Sequence, residues 1–196
     1  MNNFRHIPRK RFGQHWLKDQ GVLDQIVKAA ELNSEDCVIE VGPGKGALTE
    51  KLIKSKARFI QAIELDRDLV LGLKKRFSHQ NKFSLREGDV LSASLEAENG
   101  LIVNKVVANI PYNITGPLLK RLIGELGKAP ENRFETLVLL MQKEVAQRLL
   151  ASPGTSNFSA LSVRLQLLAR CKDVCDVPSK CFQPAPKVDS NVVIIK

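Results

Sequence analysis

Short apolar runs alternate with amphipathic stretches along the whole chain. Residues 37–41 (Cys-Val-Ile-Glu-Val) and 58–63 are brief and rich in β-branched side chains, so they read as buried strands. Ahead of them, Val22, Leu23, Ile26, Val27 and Ala30 fall on one stripe of a helix predicted over 19–32, which Asn33-Ser34-Glu35-Asp36 breaks. The same reading predicts helices over about 47–56, 67–77, 115–126 and 158–169, and one more ending at Leu150. Further strands are expected at 82–86, 102–108, 134–141 and 188–195, with loop chemistry at 152–157 and proline punctuation at 178–187. Strands alternating with helices predict an α/β fold, a sheet covered on both faces. No repeat, low-complexity tract or linker divides the chain, so a single domain over 19–196 is expected behind an arm at 1–18.

Composition narrows the class. A chain of 196 residues can bury roughly 70% of its unfolded surface. With 43% hydrophobic and 26% charged residues, disordered and fibrous classes are excluded. The longest apolar runs, such as Leu137 to Met141, are too short to cross a membrane, and no apolar stretch follows the N-terminal cations as in a secretory signal. Cys171, Cys175 and Cys181 match no common zinc spacing and Cys37 opens an apolar run, so no metal is expected. Reduced thiols in a cytoplasmic protein are the plain reading.

The charge adds a partner. Lys and Arg number 30 against 21 Asp and Glu, a net +9, and residues 1–18 hold five cations (Arg5, Arg9, Lys10, Arg11 and Lys18) with no acid. Such a field attracts polyanions, and an acid-free arm points to nucleic acid. The cations at 51–58 and 74–76 read instead as solvated helix faces.

Between a strand and a helix lies Glu40-Val-Gly42-Pro-Gly44-Lys-Gly46. Glycines at a strand's carboxyl end let a ligand approach the backbone closely. The spacing is G-x-G-x-G rather than the dinucleotide G-x-G-x-x-G, and Pro43 removes an N–H that could hold a pyrophosphate. Alone, the loop suits NAD, FAD, S-adenosylmethionine or a tight turn. Glu64 ends the next strand, where a carboxylate can accept both ribose hydroxyls, and Asp89 follows the third, where it could accept from an adenine amine or simply make a turn. Two acids beyond consecutive strands favour S-adenosylmethionine.

Asn109-Ile110-Pro111-Tyr112 follows the fourth predicted strand. Methylating an exocyclic amine is difficult because its lone pair is delocalised into the ring. Accepting both amino hydrogens, from the Asn109 side-chain oxygen and a carbonyl such as that of Pro111, favours the pyramidal nitrogen of the transition state. Tyr112, the single tyrosine, offers a face on which the base can stack. The alternative is a turn that merely ends a strand.

Five segments now stand in order: 9–17 (Arg-Lys-Arg-Phe-Gly-Gln-His-Trp-Leu), 40–49, 109–115 (Asn-Ile-Pro-Tyr-Asn-Ile-Thr), 142–148 and 182–190 (Phe-Gln-Pro-Ala-Pro-Lys-Val-Asp-Ser). Together they resemble the rRNA adenine N6-dimethyltransferases, most closely those of the small subunit. The resemblance implies a class I S-adenosylmethionine-dependent methyltransferase fold, a seven-stranded, mostly parallel Rossmann-like sheet whose last strand is antiparallel. It implies dimethylation of two adjacent adenosines in the 3′-terminal hairpin loop of small-subunit rRNA, on the immature subunit, by a cytoplasmic monomer. The cofactor contacts it implies are His15, Leu17, Gly42, Glu64, Asp89 and Asn109, beside the Gly44 of the loop. Asn109, Pro111 and Tyr112 would hold the amine, with Phe182 stacked on the opposite face of the base; without the resemblance, Phe182 reads as a hydrophobic plug. Relatives of this kind continue past the last strand into a small helical domain, whereas this sequence stops at Lys196, so weaker placement on the ribosomal particle is expected. Competing readings are a large-subunit enzyme of the erythromycin-resistance type, a non-catalytic RNA-binding assembly factor, and an NAD-dependent oxidoreductase that the loop spacing disfavours.

Overall fold

The computed structural model describes residues 14–196, so Arg5, Arg9, Lys10 and Arg11 of the basic arm lie outside the described residues. In chain order the elements are β1 (Trp16–Leu17), α1 (Gln20–Ala29), β2 (Cys37–Val41), α2 (Ala47–Lys54), β3 (Phe59–Glu64), α3 (Arg67–Arg76), β4 (Phe83–Glu87) and β5 (Lys105–Asn109). There follow α4 (Thr115–Ile123), β6 (Thr136–Gln142), α5 (Lys143–Leu150), α6 (Ala160–Leu168), β7 (Cys171–Val177), β8 (Phe182–Gln183) and β9 (Ser190–Ile195).

Seven strands form one sheet in the order β4-β3-β2-β5-β6-β9-β7. β4, β3, β2, β5 and β6 are mutually parallel, and β9 runs antiparallel to both β6 and β7. This is the seven-stranded sheet with an antiparallel last strand that the resemblance implies. β1 and β8 pair separately, as a two-stranded antiparallel ribbon.

Period-two alternation divides the core between the two faces. Ile39, Val41, Ile63, Val106, Ala108 and Leu139 point to the face covered by Leu118, Leu122, Leu149 and Leu165 of α4, α5 and α6. Their neighbours Val38, Ile60, Val107, Val138 and Leu140 meet Leu23, Ile26, Leu48 and Leu52 of α1 and α2. α3 closes that side with Val70, Leu73 and Phe77 against Ala62 and Leu85. The central strands are buried on both faces, which is why they read as unbroken apolar runs.

Three differences from expectation have a clear physical cause. β7 has no counterpart in the pattern analysis: Cys-Lys-Asp-Val-Cys-Asp-Val lies on the sheet's edge, where exposed charges replace an apolar run, and its register shifts between Asp173 and Cys175. α4 stops at Ile123 because Gly124 turns the chain at φ +90°. Ile102 is 88% exposed and precedes the strand, which starts at Lys105.

At the amino ends of the strands lies a buried ion pair. Lys105 Nζ donates to Asp36 Oδ2 at 2.9 Å and to the carbonyls of Ala30 and Glu31 at 3.0 and 3.1 Å. Asp36 also accepts from the Asn33 N–H at 2.7 Å and from Asn104 Nδ2 at 2.8 Å. One ammonium thereby ties the end of α1 to the starts of β2 and β5. Lys105→Met leaves a buried carboxylate without its cation and is expected to cost about 3–5 kcal/mol in urea unfolding.

Candidate active site

Parallel strands bring their carboxyl ends to one edge of the sheet, and the singled-out residues lie there. Gly42 follows β2, Glu64 ends β3, Asp89 lies two residues past β4, and Asn109 ends β5. The loop after β2 bends through positive φ at Gly42 (+62°) and Gly44 (+59°). A Cβ on Gly44 would sit 2.8 Å from Trp16 Cδ1, so only glycine lets the loop lie against the indole. Lys45 Nζ stands 3.9 Å from the centre of the Trp16 ring, a cation–π contact.

The Glu64 carboxylate fixes this loop. Its Oε2 accepts the Gly44 N–H at 3.0 Å, and its Oε1 accepts the Asp66 N–H at 2.9 Å, where Asp66 caps α3. Burial raises the Glu64 pKa, and the N–H groups of Asp66 and Gly44 pull in the opposite direction. Asp89 is exposed; its Oδ1 accepts the Leu91 N–H at 2.9 Å in an Asx turn, and its Oδ2 has no protein donor among the described residues.

Residues 14–17 cross the cleft as a strap. Gln14 Nε2 donates to Asp66 Oδ2 at 2.8 Å, and the His15 carbonyl accepts Asn109 Nδ2 at 3.1 Å. His15 Nδ1 donates to the Pro184 carbonyl at 2.9 Å, and Leu17 pairs with Phe182 in the β1–β8 ribbon. The His15 ring lies stacked beside Tyr112, centroids 5.6 Å apart and planes inclined by 21°. The Tyr112 hydroxyl is hydrogen-bonded to Ser190 Oγ at 2.6 Å.

Two cavities meet at the strap, sharing Trp16, Gly42 and Asn109. One, of about 300 Å³, gathers His15, Gly42, Gly44, Glu64, Asp89, Asn109, Pro111 and Tyr112. The other, of about 460 Å³, is lined by Leu17, Glu40, Lys18, Lys45 and Lys51 among others. Leu17 thus lies on the second cavity rather than the first. Phe182 lies on neither: it is 2% exposed and packs with Leu17, Val22, Val177 and Val192. In this geometry Phe182 is the hydrophobic plug beneath the strap and offers no face for stacking.

Glu40 is the anomaly of the site. It is 1% exposed and no hydrogen bond of ordinary geometry reaches either carboxyl oxygen among the described residues, although the hydroxyl and N–H of Thr49 lie beside it and oppose the effect of burial. Burial, above all, pushes its pKa up to about 8. An orphaned acid on a cavity wall fits a ligand that brings its own cationic donors. Acceptors at Glu64 and Asp89 fit hydroxyls and an amine. The residues present therefore suit a nucleoside joined to a charged amino-acid tail.

Comparison with known proteins agrees with that geometry. The sequence model of the family described as ribosomal RNA adenine dimethylase matches residues 5–196. The chain belongs to this family. Among relatives of the dimethylase family, the "ribosomal RNA small subunit methyltransferase A" of Prochlorococcus marinus (strain NATL2A) is 89% identical over 196 residues. That match covers 100% of this chain and 67% of the relative, so the chain spans about two thirds of its length. Of the solved structures, a dimethyladenosine transferase from Plasmodium falciparum is 37% identical with a TM-score of 0.82, covering 92% of this chain and 62% of that one. The 23S rRNA methyltransferase ErmE is 29% identical with a TM-score of 0.76, covering 92% of this chain and 69% of that one. The fold is thus the S-adenosylmethionine-dependent methyltransferase fold of this dimethylase family.

Sequence reasoning missed three participants. Gln14 and Trp16 stood inside a quoted motif without assigned roles, and Ser190 closed another; its contact with Tyr112 spans 78 positions, which no local pattern encodes.

The raised Glu40 pKa sets a pH dependence of stability. The folded state holds the proton more tightly than the unfolded chain, so stability from this group is full below the ordinary value of 4.5 and is lost as pH rises towards about 8. Each pH unit in that window costs about 1.4 kcal/mol. Glu40→Gln is expected to flatten this decline in urea unfolding measured across the window, leaving the contribution of Glu64, whose pKa burial also raises.

Proposed function

We propose that the chain transfers methyl groups from S-adenosylmethionine to N6 of two adjacent adenosines in the 3′-terminal hairpin loop of small-subunit rRNA. The product is N6,N6-dimethyladenosine, and the substrate is the immature small ribosomal subunit, met in the cytoplasm by a monomeric enzyme. The name carried by the Prochlorococcus relative supports the small-subunit choice. No helix among the described residues is long and apolar enough to cross a membrane.

The observation that carries the chemistry is the orientation of Asn109. Its Nδ2 is committed to the His15 carbonyl, which leaves Oδ1 as an acceptor in the cavity that Tyr112 also lines. S-adenosylmethionine, when bound, supplies a methyl group on a positively charged sulfur. Glu64 keeps acceptor capacity beyond its two backbone bonds and would hold the ribose hydroxyls, with Asp89 Oδ2 taking the adenine amine. Glu40 would face the charged amino-acid end.

Asn109 Oδ1 and the Pro111 carbonyl accept the two hydrogens of the target amine. The Pro111 oxygen already receives the Ile114 N–H at 3.1 Å and retains a second lone pair. Both bonds strengthen as the nitrogen becomes pyramidal, so they act on the transition state. Tyr112 stacks with a base that is single-stranded or flipped out. No residue is assigned as a strong general base, because the attacked nitrogen becomes acidic once it carries the extra substituent.

Transfer of labelled methyl groups tests this reading on two substrates, undermethylated small subunits and deproteinised large-subunit rRNA, with nucleosides identified by mass spectrometry. Dimethyladenosine from the small subunit alone is expected. Label in the large-subunit RNA alone would move the assignment to the resistance-type enzymes, and cofactor binding without transfer to either would favour an assembly factor. Two variants separate the roles. Glu64→Ala is expected to weaken cofactor binding roughly 10- to 100-fold. Tyr112→Ala should bind cofactor normally and lose turnover by about a hundredfold; wild-type turnover in that variant would refute the stacking role.

A further inference from the structure

Tyr112 is the only tyrosine of the chain, and it sits in the single 3₁₀ turn between β5 and α4. A side chain at a turn can swing about its Cα–Cβ bond, and that swing would displace any base resting on the ring. Its hydroxyl, however, meets Ser190 Oγ at 2.6 Å. Ser190 is 0% exposed and opens β9, where it pairs with Gln142 of β6 on one side and Val177 of β7 on the other. The preceding residue is held as firmly: the Asp189 carbonyl accepts the Lys143 N–H at 3.0 Å, and its carboxylate accepts the Ser179 N–H at 2.9 Å. The serine oxygen is therefore fixed by the sheet, and among the described residues its side-chain hydrogen bond is to the phenol.

We propose that Ser190 is a positioning residue, which anchors the hydroxyl end of Tyr112 to the sheet and so sets where the ring lies beneath the target base and its amine. The inference rests on the methyl-transfer reading above. Ser190 itself touches neither cofactor nor base; it acts through the phenol, 78 positions away in sequence. The hydroxyl lies on the ring's own rotation axis, so this bond fixes where the far end of the side chain sits, while the His15 ring stacks beside the phenol with centroids 5.6 Å apart. Alignment of attacking nitrogen and methyl group is sensitive to such displacements.

Three variants test the proposal: Ser190→Ala, Tyr112→Phe and the pair together. Each single variant is expected to lower kcat roughly 3- to 10-fold with cofactor affinity unchanged, and the pair no further than either alone. Tyr112→Phe leaves β9 intact, so a folding defect in Ser190→Ala cannot mimic this pattern. Because the chain has one tyrosine, ultraviolet difference absorbance reads Tyr112 ionisation directly. The serine bond favours the phenolate while burial opposes it, so Ser190→Ala should move the ionisation to higher pH. A fluorescent adenine analogue at the target position of the RNA should be quenched less by Ser190→Ala than by the wild type. Unchanged ionisation and unchanged quenching in a folded Ser190→Ala protein overturn the inference, whether or not the wild type transfers methyl. Failure of the wild type to transfer methyl refutes the function instead, and the two optical readouts still decide the role of Ser190.

Discussion

One carboxylate holds the cleft together. Glu64 ends a buried strand and accepts two backbone N–H groups, from Gly44 of the glycine loop and from Asp66 at the cap of α3. Two segments that would otherwise move independently are thereby referred to the same rigid strand. Charge-assisted bonds of this kind are shorter and stronger than neutral ones, and they offset part of the cost of burying the acid, whose pKa burial still raises. The same carboxylate retains lone pairs for a ligand, so the group that builds the loop can also read what the loop encloses. Gln14, bound to the side chain of Asp66, extends this arrangement to the strap.

The strap completes what the strand ends begin. Without the His15 carbonyl, the Asn109 amide would have no fixed orientation, and its oxygen would not be left as the acceptor in the cavity that Tyr112 also lines. The strap is secured at its far end by Leu17 against Phe182, a short ribbon whose apolar side chains sink into the core between the sheet and α1. Burial of Phe182 thus supports the site from below. A residue expected to touch the base instead seats the segment that orients the amide acceptor.

Much of this was legible in sequence, for identifiable reasons. Parallel strands buried on both faces announce themselves as apolar runs, so β2, β3 and β6 were found nearly to the residue, and the site fell at their carboxyl ends because that is where α/β sheets bind ligands. Gly42, Gly44, Glu64, Asp89, Asn109, Pro111 and Tyr112 were identified from that rule and from motif resemblance, and they line one cavity. β7 was invisible because an edge strand needs no apolar alternation. Ser190 carried no functional signal because its significance is a long-range contact. For Phe182 the residue pattern alone reads a hydrophobic plug and the motif resemblance an exposed stacking face; the structure buries the ring.

The two ends of the sheet treat buried charge in opposite ways. At the amino ends, Lys105 and Asp36 are surrounded by Asn33, Asn104 and the carbonyls of Ala30 and Glu31, and Asp36 is held below its ordinary pKa despite the burial that opposes this. At the carboxyl ends, Glu40 is buried beside Thr49 with no hydrogen bond of ordinary geometry to either carboxyl oxygen among the described residues. Satisfied networks fix a core, whereas an unsatisfied buried acid costs stability and persists where a ligand can relieve it. A fully paired amino end lets the carboxyl end tolerate that cost, because both ends belong to the same strands: Glu40 is three residues from Cys37, whose N–H is bound by Asn104 of the lower network. The sheet is thus anchored at one edge and left electrostatically unfinished at the other, and the unfinished edge is the one that faces the cofactor cleft.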